Sequence, residues 1–214
     1  MNDSANNTVD WRDYQLEKST RQLENIEWST CYHYETFEPD VPRLLLIGDS
    51  ICNGYQNAVR RELAGEAGVS FWASSKCVTD PDYLRALEII LDAYHYDFIS
   101  FNNGLHSFTS DLTEYQTAFG NVVRYIRAKC PDAKLVITTS TPCADTEKTE
   151  KVRVLNKIVR AAAEENGLDV LDLFSHMDPL DRETYWCDPY HYKPEGIQLQ
   201  CKIIADFFRP LFGK

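Results

Sequence analysis

Short apolar runs alternate along the chain with longer segments in which apolar residues recur at helical spacing. Five runs have the length and composition of buried strands, at positions 44–47, 69–73, 98–101, 135–139 and 168–173. Helical spacing covers positions 51–66, 82–94, 112–129, 148–165 and 196–208. Strand–helix alternation repeated five times indicates parallel strands joined by crossover helices. We therefore predict an α/β fold, a three-layer α/β/α sandwich around a flavodoxin-like five-stranded parallel sheet.

Residues 1–41 do not follow this alternation. They contain several aromatic residues, among them Trp11 and Trp28, within a mostly polar stretch. We predict that 1–41 is an N-terminal extension packed on a single domain of residues 42–214, and that roughly its first 10 residues are disordered.

Charge and cysteine content narrow the classes of function. The 214 residues carry a formal net charge of -11, so the surface repels nucleic acid and anionic membranes, and neither is expected as a partner. No apolar run approaches the roughly 20 residues of a membrane span, and the first residues lack the pattern of a secretory signal. The seven cysteines include no Cys-x-x-Cys pair, which is typical of reduced thiols in a cytoplasmic protein. We expect a cytoplasmic protein whose oligomeric state the sequence leaves open.

Ser50 lies where an open parallel sheet places its chemistry, just after the first predicted strand. Its hydroxyl is expected at the mouth of the sheet, and its N–H near the positive end of the following helix. A serine needs a base to take its proton, and Asp188-Pro189-Tyr190-His191 supplies an imidazole and an orienting carboxylate just before the last helix. The expected catalytic residues are Ser50, His191 and Asp188, and no metal or organic cofactor is expected, because too few ligands lie near His191 for a zinc site.

The two motifs, Gly48-Asp49-Ser50 after a strand and Asp188-x-x-His191 followed by Pro194-Glu195-Gly196, resemble the first and last sequence blocks of the SGNH (GDSL-like) hydrolases. The resemblance runs from about position 42 to the C-terminus and implies a serine esterase with an oxyanion hole. In the family the hole combines the N–H of the serine with a glycine N–H and an asparagine amide from two middle blocks.

Both middle blocks depart from the family pattern. Val78 occupies the position of the glycine, and a β-branched residue resists positive φ. In Asn102-Asn103-Gly104-Leu105-His106, His106 occupies the position of the asparagine, although Asn102 is an alternative donor. The resemblance thus implies an oxyanion hole formed by Ser50, Val78, and Asn102 or His106. The same stretch is similar to bacterial carbohydrate esterases of the family.

The expected reaction is hydrolysis of a short acyl ester, acetyl above all, on a carbohydrate or another small molecule. Trp186 and Tyr190 beside the triad favour a sugar, and we expect substrate contacts from Asp49, Gly104, Tyr190 and Trp186. Three alternatives stay open: a glycan-binding protein with an impaired oxyanion hole, an acyltransferase, and a lipid esterase. The absence of an amphipathic membrane helix in the pattern argues against the last.

Overall fold

A central sheet runs through the computed structural model, which describes residues 9–37 and 40–213. Its strands, numbered along the chain, are β1 (Ser29–His33), β2 (Arg43–Gly48), β3 (Gly68–Ser74), β4 (Phe98–Phe101), β5 (Lys134–Thr138) and β6 (Asp169–Leu171). The α-helices are α1 (Ser50–Glu62), α2 (Tyr83–Leu91), α3 (Leu112–Lys129), α4 (Thr146–Glu165), α5 (Leu173–Met177), α6 (Arg182–Tyr185) and α7 (Pro194–Phe208). Most of the predicted N-terminal disorder falls on residues 1–8, which lie outside the described ranges.

The sheet has the order β1-β3-β2-β4-β5-β6, and strands β2 to β6 are parallel. Taken alone, these five strands have the flavodoxin-like order 2-1-3-4-5, which confirms the predicted fold. A sixth strand, β1, comes from the N-terminal extension and pairs antiparallel with β3 at the edge of the sheet. The strand was not predicted because its side chains are exposed or only partly buried, so it lacks a continuous apolar run.

The hydrophobic core has two halves, one on each face of the sheet. Leu44 and Leu46 of β2 pack in the half that includes α1 and α7, whereas Leu45 and Ile47 pack in the half that includes α2, α3 and α4. Alternate side chains of a strand point to opposite faces, so a strand covered on both faces is a continuous apolar run. No helix within the two described ranges is long and apolar enough to cross a bilayer.

Capping side chains fix where several helices begin. Asp111 accepts hydrogen bonds from the N–H groups of Thr113 and Glu114, as its position before α3 predicts. Asp145 caps α4 in the same way, so that helix begins two residues before the predicted start. Asp172 caps α5. Because α5 begins there, β6 ends at Leu171, two residues before the end of the apolar run at 173.

Candidate active site

Ser50 is the first residue of α1, two residues beyond the end of β2. The Asp49 carboxylate accepts a hydrogen bond from the N–H of Ile51 at 2.9 Å and so fixes the start of the helix. Gly48 permits the tight turn, since a Cβ there would lie 2.6 Å from Cβ of Cys52. The first N–H groups of a helix have no acceptor within it, so the N–H of Ser50 can serve an oxygen in front of the helix.

The structure brings Ser50, His191 and Asp188 together. Nε2 of His191 lies 2.8 Å from Oγ of Ser50, across 141 residues of chain. Nδ1 of the same ring lies 2.7 Å from Oδ2 of Asp188. The imidazole therefore bridges a serine hydroxyl and a carboxylate, an arrangement that can move a proton off Oγ and stabilise the resulting imidazolium.

The short loop before α7 holds the Asp188 carboxylate in place. Oδ1 accepts hydrogen bonds from the N–H groups of His191, at 2.7 Å, and Tyr190, at 2.8 Å. Partial burial opposes the negative charge, but these N–H groups and the His191 ring outweigh it and lower the pKa of Asp188 to about 2. The carboxylate is therefore ionised at neutral pH and can orient the imidazole.

Ser50 and His191 open onto a cavity of about 640 Å³. Tyr190 lines it on the side of α7, and Leu105, His106 and Phe108 line it from the loop after β4. The rest of the wall includes three residues of the N-terminal extension, namely Gln22, Glu24 and Trp28. The extension thus forms part of the same cavity as the serine.

The three residues expected to form the oxyanion hole with Ser50 differ in whether their hydrogen-bond donors are already engaged. The N–H of Val78 donates to Oδ1 of Asn103 at 3.1 Å, and Nδ2 of Asn102 donates to the Thr138 carbonyl at 2.8 Å and to Oγ of Ser140 at 3.1 Å. Both donors hold loops together instead of pointing at a free site. His106, by contrast, lines the cavity, and among the described residues its Nε2 is buried without a hydrogen-bond partner.

Of the four residues expected to contact substrate, only Tyr190 lines the cavity. Asp49 is buried beneath the helix that it caps, with 2% exposed. Gly104 packs so closely on Ser140 that a Cβ would lie 2.1 Å from Oγ. Trp186 is buried against Tyr192 and donates to the Pro142 carbonyl at 3.3 Å. In this structure, helix capping occupies Asp49, and close packing surrounds Gly104 and Trp186.

The motifs gave no indication of the N-terminal contribution to the site. Arg21 is the residue that anchors it, with only 1% of its side chain exposed. Its guanidinium donates to Oδ2 of Asp80 at 2.6 Å, to the Ser75 carbonyl at 2.9 Å and to the His106 carbonyl at 3.0 Å. A single arginine in a polar stretch has no periodicity that marks it as buried. Among the residues that the extension contributes here, Trp28 was the one that the sequence marked for burial, because it is an aromatic residue in a polar stretch.

No cluster of three or more histidine, cysteine, aspartate or glutamate side chains within residues 9–37 and 40–213 is placed to hold a metal ion. The cysteines of the described ranges are all free thiols, and burial raises the pKa of Cys52, close to Ser50, to about 12. The side chains of the cavity wall that can give or take a proton include those of Ser50, Glu24, His106, Tyr190 and His191.

Comparison with known proteins gives one family and many structural neighbours. The model of the GDSL-like lipase/acylhydrolase family matches residues 46–199. No curated protein sequence matches the chain.

Three solved structures illustrate the likeness in fold. The acetyl xylan esterase AlAXEase is similar with a TM-score of 0.65 at 15% identity, over 77% of this chain and 98% of its own. An acetylxylan esterase from Geobacillus stearothermophilus gives 0.62 at 16%, over 77% and 93%. A GDSL-like lipase from Bacteroides thetaiotaomicron gives 0.62 at 18%, over 79% and 88%. At such low identities the likeness establishes the α/β/α fold alone.

Proposed function

The chain belongs to the GDSL-like lipase/acylhydrolase family and is thus an ester hydrolase, and we propose that it removes short acyl groups, acetyl above all, from a carbohydrate through Ser50, His191 and Asp188. The observation that carries the proposal is the continuous path of hydrogen bonds from Oγ of Ser50 through His191 to Asp188, at 2.8 and 2.7 Å.

The reaction is acyl transfer to water in two steps. Nε2 of His191 takes the proton of Ser50 as Oγ attacks the ester carbonyl carbon, and the carbonyl oxygen becomes an oxyanion. The N–H of Ser50 donates to that oxyanion at the positive end of α1. His191 returns the proton to the departing alcohol, which leaves an acyl-serine. Water then attacks the acyl-serine with His191 as the base, and His191 returns the proton to Oγ as the acid leaves.

The cavity wall supports a carbohydrate as the alcohol. Its volume of about 640 Å³ lies within the range of ordinary small-ligand sites. Trp28 and Tyr190 offer aromatic surface, and Nζ of Lys148 lies 4.3 Å from the centre of the Tyr190 ring, which braces that ring. Gln22 and Asn53 add amide groups that can bond hydroxyls. Two structural neighbours are acetyl xylan esterases, which agrees with an acetylated sugar.

Hydrolysis of p-nitrophenyl acetate and butyrate, followed by acetate release from acetylated xylo-oligosaccharides, tests the proposal. The wild type should prefer acetate to butyrate and release acetate from the oligosaccharide, and Ser50→Ala should lower kcat by about 10⁴-fold or more. Ser175→Ala, which removes an exposed hydroxyl that does not line the cavity, is the matched control and should act as wild type.

An inactive wild type would contradict the proposal. If that inactive protein still bound acetylated oligosaccharide, and Ser50→Ala bound it equally, the protein would be a glycan-binding member of the fold. Acetyl transfer to an added acceptor sugar in place of water would identify an acyltransferase.

A further inference from the structure

A second carboxylate–imidazole pair lies on the wall of the cavity that Ser50 opens onto. Oε1 of Glu24, from the N-terminal extension, lies 2.5 Å from Nδ1 of His106, from the loop after β4. An ionised carboxylate only accepts hydrogen bonds, so the hydrogen of this contact belongs to Nδ1. Nε2, on the other side of the ring, is buried and has no partner among the described residues.

Several contacts hold this pair in position. Nε of Arg21 donates to the backbone carbonyl of His106 at 3.0 Å, and the same guanidinium lies 3.8 Å from the carboxylate of Glu24. The Trp28 ring meets the His106 ring edge to face, with centroids 6.4 Å apart. The extension therefore fixes both the carboxylate and the backbone of the histidine, and the ring has one defined orientation.

The hydrogen on Nδ1 decides what Nε2 can do. In a neutral ring with Nδ1 protonated, Nε2 is only an acceptor, whereas in the imidazolium both nitrogens donate. An oxyanion needs donors, and the N–H of Val78 and the amide of Asn102 are engaged elsewhere. His106 can therefore serve an oxyanion only as the cation.

The charges around His106 come from both sides of the cavity. Glu24 and Glu27 of the extension are negative, and Arg21, which is paired with Asp80, is positive. Across the cavity lies the pair of His191 and Asp188. Glu24 is the group in direct contact with the ring, so its charge acts on the imidazolium most strongly.

We propose, on the premise of the esterase function above, that Glu24 is a positioning residue for the oxyanion hole. Its carboxylate orients His106 and balances the charge of the imidazolium, whose Nε2–H donates to the oxyanion beside the N–H of Ser50. His106 keeps its proton through the cycle, because His191 carries out the proton transfers. The N-terminal extension, which precedes the residues matched by the family model, thereby completes the site.

A double-mutant cycle on Glu24 and His106 tests this role, with p-nitrophenyl acetate as substrate. Glu24→Gln keeps an acceptor for Nδ1–H but removes the charge, and we expect kcat to fall by about 10- to 100-fold with little change in KM, somewhat less than the loss of a whole oxyanion donor. Asn in place of His106 donates without any charge. In the His106→Asn background, the loss caused by Glu24→Gln should shrink below about threefold, because the pair is already absent.

The split between kcat and KM provides a readout that separates a positioning role of Glu24 from a purely structural one. Loss of an oriented oxyanion donor lowers kcat at an unchanged KM, whereas a displaced extension, which lines the cavity with Gln22 and Trp28, also raises KM. Glu17→Gln, at an exposed carboxylate of the same extension, is the matched control and should leave both kcat and KM unchanged. Thermal melts should show that all the variants are folded.

Equal losses from Glu24→Gln in both backgrounds, or a loss that appears in KM and not in kcat, would overturn the inference. These outcomes require an active wild type that Ser50→Ala inactivates, so they leave the proposed function standing. A wild type without esterase activity overturns both proposals.

Discussion

Two carboxylate–imidazole pairs share one cavity, but the chain builds them in opposite ways. Asp188 and His191 are three residues apart, and the carboxylate also accepts two N–H groups of the same loop. Glu24 and His106 are 82 residues apart and meet only because the N-terminal extension packs on the sheet. A local motif carries its geometry with it, whereas a distant pair depends on everything that docks the two segments.

Of the changes that break one of the two pairs, Asp188→Asn has the largest expected effect. The amide still accepts from the loop, but it stabilises neither the charged imidazolium nor the right tautomer, so kcat for p-nitrophenyl acetate should fall by about 10⁴-fold. The melting temperature should change little, because the side chain is 45% exposed. Steady-state kinetics and a thermal melt of the same preparation check both parts. If the loss in kcat were no greater than that caused by Glu24→Gln, the local and the distant pair would contribute equally to catalysis.

The predictability of the two pairs from sequence follows the same division. Asp188 and His191 were identifiable because both residues and their spacing lie within one short motif. Ser50 was identifiable because a strand covered on both faces is a continuous apolar run, which marks where the chain leaves the sheet. Glu24 has no such mark: an acidic residue in an irregular polar stretch is usually solvated, and only the packed fold brings it to His106.

The parts of the fold that the pattern of apolar residues did not predict belong to the N-terminal extension. Its strand β1 lies at the edge of the sheet, and its side chains are exposed or only partly buried. The sequence therefore has no alternation of apolar residues that predicts this strand. Its anchor is polar instead: buried Arg21 joins the loops after β3 and β4, which hold Val78 and His106. Burial of a charge is decided by its partners in space, and a single sequence does not show them.

Arg21→Met should give the next largest effect, and on stability. Its removal leaves the Asp80 carboxylate buried without its cation, and burial already raises the pKa of Asp80 despite the guanidinium. We expect a loss of about 3–5 kcal/mol in the free energy of unfolding, measured with urea. Arg21→Met/Asp80→Asn should recover part of it, because the amide is neutral and can still accept from the N–H of Cys77.

Arg21→Met also separates the contributions of the two carboxylate–imidazole pairs to catalysis. The Glu24–His106 pair should be lost with the docking of the extension, so kcat should fall at least as far as in Glu24→Gln, while Ser50 still reacts with a serine-directed fluorophosphonate through His191. Arg12→Met is the control. This arginine is 73% exposed and its ion pair with Asp10 lies at the surface, so the substitution should change the free energy of unfolding little. If Arg21→Met were as stable and as active as wild type, the extension would not be required for the site.

The smallest effect concerns the acid stability that the local pair contributes. The pKa of Asp188 is about 2 in the folded protein, below its ordinary value of 3.8, so the carboxylate stabilises the fold fully above pH 3.8 and less as pH falls towards 2. Because the side chain is 45% exposed, water screens the interaction, and we expect less than about 1 kcal/mol. Urea unfolding of wild type and Asp188→Asn at pH 5, 3 and 2 measures it. The stability difference between the two proteins should shrink between pH 5 and pH 2, and a difference that stays constant would show that the loop holds Asp188 by its geometry and not by its charge.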